Sequence, residues 1–195
     1  MKTIAVTGGL GSGKSAAMSV FYEMGANVLH ADDIAKRLLQ VDPGLILKIK
    51  ESFGDDCYLD EELQPQILAE RAFVTSEKHD LLNRLIHPVL RTYLHKYISA
   101  TKSVPGTLMV EAAILFEAGF EDLFDMVLLI TAEKAIRIQH AKAAGRLHEK
   151  DILRRMALQM PEEEKKGRAD YIIENNGTEE DLKNACRFFW ETIKV

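Results

Sequence analysis

The chain has 195 residues, of which 47% are hydrophobic and 28% charged, and a net charge of −5. That length allows one well-packed α/β core with modest insertions and is short for two full-sized domains. The acidic balance excludes a global attraction to nucleic acid or to an anionic membrane, so any basic site must be local.

Before the first glycines the apolar run is only Ile4, Ala5 and Val6, too little for the apolar core of a signal peptide, so a cytoplasmic protein is expected. Glu111 and Glu117 interrupt the most hydrophobic region, leaving no span of the ~20 apolar residues a membrane helix needs. Cys57 and Cys186 are isolated, which predicts two free thiols and no metal-ligand spacing.

Thr3 to Thr7 is a β-branched and apolar run that predicts a buried strand. It leads into Gly8-Gly9-Leu10-Gly11-Ser12-Gly13-Lys14-Ser15, a full match to GxxxxGK[ST]. Ala17, Val20, Phe21 and Met24 then recur on one helical face that ends at Gly25. Strand, glycine loop and helix make the P-loop unit. Its glycines let consecutive backbone N–H groups and the helix N-terminus face a polyphosphate. Lys14 is then within reach of the β- and γ-phosphates, and the Ser15 hydroxyl is placed to ligate Mg²⁺.

Residues 26–31 predict a second strand, with Asp32-Asp33 where it gives way to the helical pattern of Ile34, Ala35, Leu38 and Leu39. Asp32 reads both as a helix N-cap and as an acid at a strand's ligand-binding end, and the two roles are compatible. Residues 43–100 have helical spacing and no strong strand signal, which predicts a helical insertion. Its loops are marked by Asp42-Pro43-Gly44, Gly54-Asp55-Asp56 and Asp60-Glu61-Glu62, and His87-Pro88 breaks a helical pattern within it.

Thr107 to Val110, closed by Glu111, is a third strand, and Glu111 takes the place where P-loop proteins often hold an acid near the metal. The apolar segment from Ala112 to Phe116 reads equally as a pocket wall or as core. Met126 to Ile130 is a fourth strand, and a helix is expected over 132–144. From Lys134 to Arg168 ten Lys or Arg face five acids, which suits either a solvated helical pair or a mobile lid that closes over phosphates. Tyr171 to Glu174 is a fifth strand, and residues 179–193 form an amphipathic closing helix. About five buried strands alternating with helices imply a parallel sheet covered on both faces.

A regulatory GTPase would need NKxD and DxxG, and neither occurs. A nucleic-acid motor needs more chain and a basic track. A small-molecule kinase remains, with an acid near the attacking hydroxyl and arginines over the transferring group.

Several ordered segments make the resemblance specific: residues 7–15, Ala31-Asp32 with Ile34-Ala35, residues 85–88, Leu115-Phe116-Glu117, Gln159-Met160-Pro161 and residues 169–177. Nearly the whole chain resembles the dephospho-CoA kinase family, which phosphorylates the ribose 3′-hydroxyl of dephospho-CoA in the last step of coenzyme A synthesis.

The resemblance implies a three-layer α/β/α P-loop core of about five parallel strands from residues 1–32, 103–133 and 169–195. It also implies a helical substrate domain at 33–102 and a helical lid at 134–168. ATP and dephospho-CoA are the implied partners and Mg²⁺ the cofactor, with no nucleic acid or membrane partner, and a monomer or small homo-oligomer is expected. Asp32 is the implied general base, and Lys14, Arg137 and Arg146 are the other catalytic candidates. ATP contacts fall on Gly9, Gly11, Ser12, Gly13, Lys14, Ser15, Ala16 and Asn175. Acceptor contacts fall on Thr7, Asp32, Lys36, His87 and Leu115.

The chain departs from the family pattern at His30, where another acid is usual, at Ala113 for a proline, and at Lys36 for an arginine. His140 and Ala144 stand where lid arginines are usual, with Arg137 and Arg146 nearby as substitutes. The alternatives are a kinase of the same fold with another small hydroxyl or nucleotide acceptor, and an inactive nucleotide-binding regulator.

Overall fold

The computed structural model describes residues 1–145 and 148–193. Residues 1–30 with 101–193 form one compact unit and residues 31–100 a second.

In the first unit, five parallel strands form the sheet. They are β1 (Lys2–Thr7), β2 (Asn27–His30), and three later strands at Thr107–Glu111, Met126–Thr131 and Tyr171–Glu174. Two two-residue strands in the second unit, β3 (Tyr58–Leu59) and β4 (Glu62–Leu63), precede these last three, which are therefore β5, β6 and β7. The order across the sheet is β2-β5-β1-β6-β7. The register pairs Val6 with both Glu111 and Leu128, and His30 with Glu111, so all of these lie near one C-terminal edge. Pairing β1 with two strands from much later in the chain makes β1 central, which explains its fully buried Ile4, Ala5 and Val6.

Helix α1 (Lys14–Glu23) follows the glycine loop and buries Ala17, Met18, Val20 and Phe21. It ends at Gly25, whose φ of 92° lets its N–H reach the Tyr22 carbonyl while the Ala26 N–H reaches that of Phe21. This is the Schellman stop that glycine permits. The C-terminal helix, Glu179–Ile193, starts with reciprocal hydrogen bonds between Thr178 and Asp181, a capping box. It packs Phe189 and Trp190 onto Phe21, with ring centroids 5.8 and 6.3 Å apart. Burying each such aromatic side chain contributes on the order of 2–3 kcal/mol.

The second unit contains α2 (Ala31–Val41), α3 (Pro43–Phe53), α4 (Pro65–Ala72) and α5 (Ser76–Thr101). Three expectations are corrected here. Asp42-Pro43 starts a helix instead of marking a loop, since Asp42 accepts the Leu45 N–H at 2.8 Å and Pro43 fills the first helical position. The acidic turn at Asp60-Glu61 is present as expected, with both residues at positive φ, but it closes a β-hairpin in a stretch where no strand was expected. That geometry usually selects Asn or Gly, which hid the hairpin in the sequence. Pro88 does not break its helix: α5 runs through it for 26 residues. The proline removes one N–H donor, and the long helical runs on both sides hold the course.

Three helices lie between β6 and β7: α6 (Lys134–Ala143), α7 (Glu149–Ala157) and α8 (Glu162–Arg168). The closing helix is thus α9. Among the described residues, no helix is long and apolar enough to cross a membrane.

Candidate active site

The loop between β1 and α1 sits at the C-terminal edge of the sheet, and its conformation needs its glycines. Gly11 has φ 77° and Gly13 φ 97°, and a Cβ on Gly11 would stand 2.0 Å from the backbone oxygen of Arg137. Lys14 turns back over the loop, donating to the carbonyls of Gly8 at 2.8 Å and Gly9 at 3.2 Å. The hydroxyls of Thr7 and Ser12 are buried with no hydrogen-bond partner among the described residues. Orphaned buried donors cost free energy, and here they lie within and just before an anion-binding loop.

Ser15, in the first turn of α1, directs its hydroxyl at Glu111 Oε1, 3.4 Å away. The other Glu111 oxygen is 2.7 Å from His30 Nδ1. A hydroxyl and a carboxylate are the hard oxygen donors that Mg²⁺ accepts, usually one or two from the protein with phosphates and waters completing the octahedron. The donor set therefore fits Mg²⁺. Among the described residues no cluster of three or more His, Cys, Asp or Glu could hold a metal.

The tip of the loop is covered from α6, α8 and the turn between α7 and α8. Arg137, only 5% exposed, donates from Nε to the Leu10 carbonyl at 3.0 Å, and its Nη1 is 2.7 Å from Glu162 Oε1. The second Glu162 oxygen accepts the Thr131 hydroxyl at 2.6 Å. The Leu10 N–H donates to Gln159 Oε1 at 2.9 Å, and His140 Nδ1 bonds the Gly11 carbonyl at 3.1 Å. His140 therefore touches the loop itself. Gln159 is held in turn by its neighbour Met160, whose N–H donates to Glu117 Oε1 at 2.8 Å. The fully buried Lys165 places Nζ 3.1 Å from the same oxygen, off the hydrogen-bonding direction, so that contact is ionic. Arg168 fixes this turn from behind, over the Phe116 ring and paired with Glu121.

Asn175 is buried, and its amide donates to the Ser12 carbonyl at 3.0 Å. A Cβ on Gly13 would meet that amide at 2.3 Å. The side chain thus braces the loop from below. The adjacent Asn176 accepts the Glu133 N–H at 2.8 Å. Asn176 lines a cavity of about 810 Å³ together with Thr131, Glu133, Arg137, Met156 and Glu162 among others. That volume falls within the usual range for small-ligand sites.

Of the remaining sequence candidates, Gly9 packs under Arg137 and Glu162, since a Cβ there would meet them at 2.0 and 2.5 Å. Ala16 is exposed in the first turn of α1. Leu115 has no exposed surface. Asp32 and Lys36 lie on α2, where Asp32 is exposed in the first turn, within the helix instead of capping it. Lys36 pairs with Asp33 at 2.9 Å. His87 lies in α5 beside Pro88. Arg146 lies outside the described residues. Sequence reasoning missed Glu162, Thr131 and Asn176, and it treated Gln159 only as part of a motif. The sole cue to Glu162 was its place in the first turn after Pro161.

The sequence profile of the dephospho-CoA kinase family matches residues 2–181. A dephospho-CoA kinase of Corynebacterium diphtheriae is 34% identical over 98% of this chain and 96% of its own length. One of Chlorobaculum tepidum is 36% identical over 97% and 94%. Among solved structures, the dephospho-CoA kinase from Campylobacter jejuni superposes with a TM-score of 0.75 at 26% identity, covering 99% of this chain and 98% of that one. The match spans nearly the whole chain, and the fold that carries the glycine loop agrees with it: the chain belongs to the dephospho-CoA kinase family.

Proposed function

We propose that this protein transfers the γ-phosphoryl group of ATP to the ribose 3′-hydroxyl of dephospho-CoA, giving coenzyme A and ADP. The observation that carries the reading is the Ser15–Glu111 pair beside the P-loop, in a chain whose family match spans residues 2–181. The acceptor oxygen attacks the γ-phosphorus in line as the bond to the β–γ bridging oxygen breaks, and ADP leaves. Asp32 takes the hydroxyl proton. No covalent phosphoenzyme forms.

Ser15 and Glu111 would hold Mg²⁺, which would supply charge compensation for the phosphates. Lys14 leaves the Gly8 and Gly9 carbonyls for the β- and γ-phosphates, and the loop amides with the Ser12 hydroxyl complete the cradle. Arg137 supplies cationic charge from the basic segment 134–168, which we read as the lid. The nucleoside of ATP takes the cavity beside Asn176, with Asn175 holding the loop under the phosphates. Residues 33–102 supply the acceptor site, with Lys36 and His87 as its polar contacts, while Leu115, having no exposed surface, serves as core. Such a protein works in the cytoplasm.

The deciding experiment measures ADP formation by the purified protein with Mg²⁺ and ATP, with and without dephospho-CoA, and identifies coenzyme A by mass. Adenosine, AMP, uridine and shikimate serve as competing acceptors. Turnover that requires dephospho-CoA is the expected result, and turnover with another acceptor alone overturns the substrate assignment. Nucleotide binding with no transfer to any acceptor overturns the enzyme reading.

A further inference from the structure

His30 ends the edge strand β2, and its Cα partner in the parallel register is Glu111. Parallel partners point to the same face of the sheet, which brings the imidazole to the carboxylate. Its Nδ1 is 2.7 Å from Glu111 Oε2. An ionised carboxylate only accepts, so Nδ1 carries the proton in this contact. The second oxygen, Oε1, faces the Ser15 hydroxyl at 3.4 Å. The three side chains therefore form a line, His30 to Glu111 to Ser15, ending where the Mg²⁺ of the proposed reaction is held.

A glutamate has three rotatable side-chain bonds, and holding one in a single orientation costs conformational entropy. Glu111 meets its two partners with different oxygens, so fixing Oε2 fixes the direction of Oε1. As an isolated ion pair, the His30 contact would be worth little, because the imidazole is 43% exposed. Its value lies in orientation.

We infer that His30 is a positioning residue for the metal site: its Nδ1–H holds Glu111 so that Oε1 is presented beside Ser15 for Mg²⁺ bound to the nucleotide. The inference rests on the proposed placement of Mg²⁺ at Ser15 and Glu111. Hydrogen-bond partners of metal-ligating carboxylates typically change metal affinity by about 10- to 100-fold when removed. Mg²⁺ prefers oxygen to imidazole nitrogen, so His30 acts through Glu111 and not as a ligand.

The test is calorimetric binding of a non-hydrolysable ATP analogue to the full-length protein, once with Mg²⁺ and once with EDTA. The ratio of the two affinities is the metal's contribution, and no turnover is needed to read it. His30→Ala is expected to lose about tenfold of that ratio while its affinity in EDTA stays unchanged. His30→Asn, whose amide N–H can take the place of Nδ1–H, is expected to keep most of the ratio. An unchanged ratio in His30→Ala, or an equal loss in both variants, overturns the positioning role. Glu111→Gln separates the two levels. If it loses the ratio while His30→Ala does not, the Mg²⁺ placement stands and only the role of His30 falls. If Glu111→Gln keeps the ratio, the placement and the inference fall together.

Discussion

Arg137 Nη1 lies 2.7 Å from Glu162 Oε1, joining α6 to the start of α8 directly over Gly9 of the phosphate loop. An acid this near a phosphate site is tolerable only while its charge is matched. Arg137 both matches it and ties the pair to the Leu10 carbonyl.

Arg137→Ala removes that match and leaves the Glu162 carboxylate, 20% exposed, beside the loop. Breaking a buried pair from one side costs about 3–5 kcal/mol, and partial exposure of Glu162 brings the expectation down to about 2 kcal/mol. ATP affinity falls with it. Adding Glu162→Gln in the same chain is expected to recover most of the stability. Chemical denaturation of the wild type and the three variants forms the cycle, and additive effects would show that the two residues do not interact.

Asp32→Asn keeps the size of the side chain in the first turn of α2 and removes its basicity. Turnover is expected to fall by about 10²- to 10⁴-fold with ATP affinity nearly unchanged. Steady-state kinetics alongside nucleotide binding checks this, and near-normal turnover would exclude Asp32 as the base.

Asp125 ties the first residues of β1 to the start of β6, accepting the Thr3 N–H at 2.7 Å and the Thr3 hydroxyl at 2.8 Å. The Thr3 amide, chiefly, holds its carboxyl below the ordinary value of 3.8. A depressed folded-state value contributes stability above the unfolded value, and that stability is lost as pH falls through the folded one. Asp125→Asn should cost about 1 kcal/mol near neutral pH, allowing for exposure. The difference from wild type should shrink as pH drops below 3.8. Urea titrations at several pH values measure it, and a gap that stays constant into acid would contradict the charge-based account.

Both cysteines are free and buried. Burial pushes the Cys186 thiol up to about 12 and raises that of Cys57. Since the thiolate is the reactive form, neither should react with a maleimide in the native protein at mildly alkaline pH, and both should react in denaturant. Rapid native labelling at either position would mean local opening.

The strands were legible because each central one is a short, continuous apolar run, which only a sheet buried on both faces requires. Val6, Val110 and Ile130 are all buried. The hairpin at residues 58–63 was not legible, because two-residue strands carry no periodicity and its turn uses Asp60 and Glu61 at positive φ. Pro88 misled for a related reason. The local cost of losing one hydrogen bond was outweighed over 26 helical residues.

The sequence by itself determined the phosphate loop, since glycine spacing and the lysine–serine pair act through local backbone geometry within residues 8–15. It determined the sheet's composition for the same reason, and its ordered motifs named the family. Only the tertiary structure decided which side chains meet across those elements. Strand order put His30 beside Glu111 from 81 residues away, and the packing of α6 and α8 put Arg137 against Glu162 over Gly9. Such contacts depend on register and helix packing, which emerge when distant segments bury their apolar faces together and which no local window of the chain encodes.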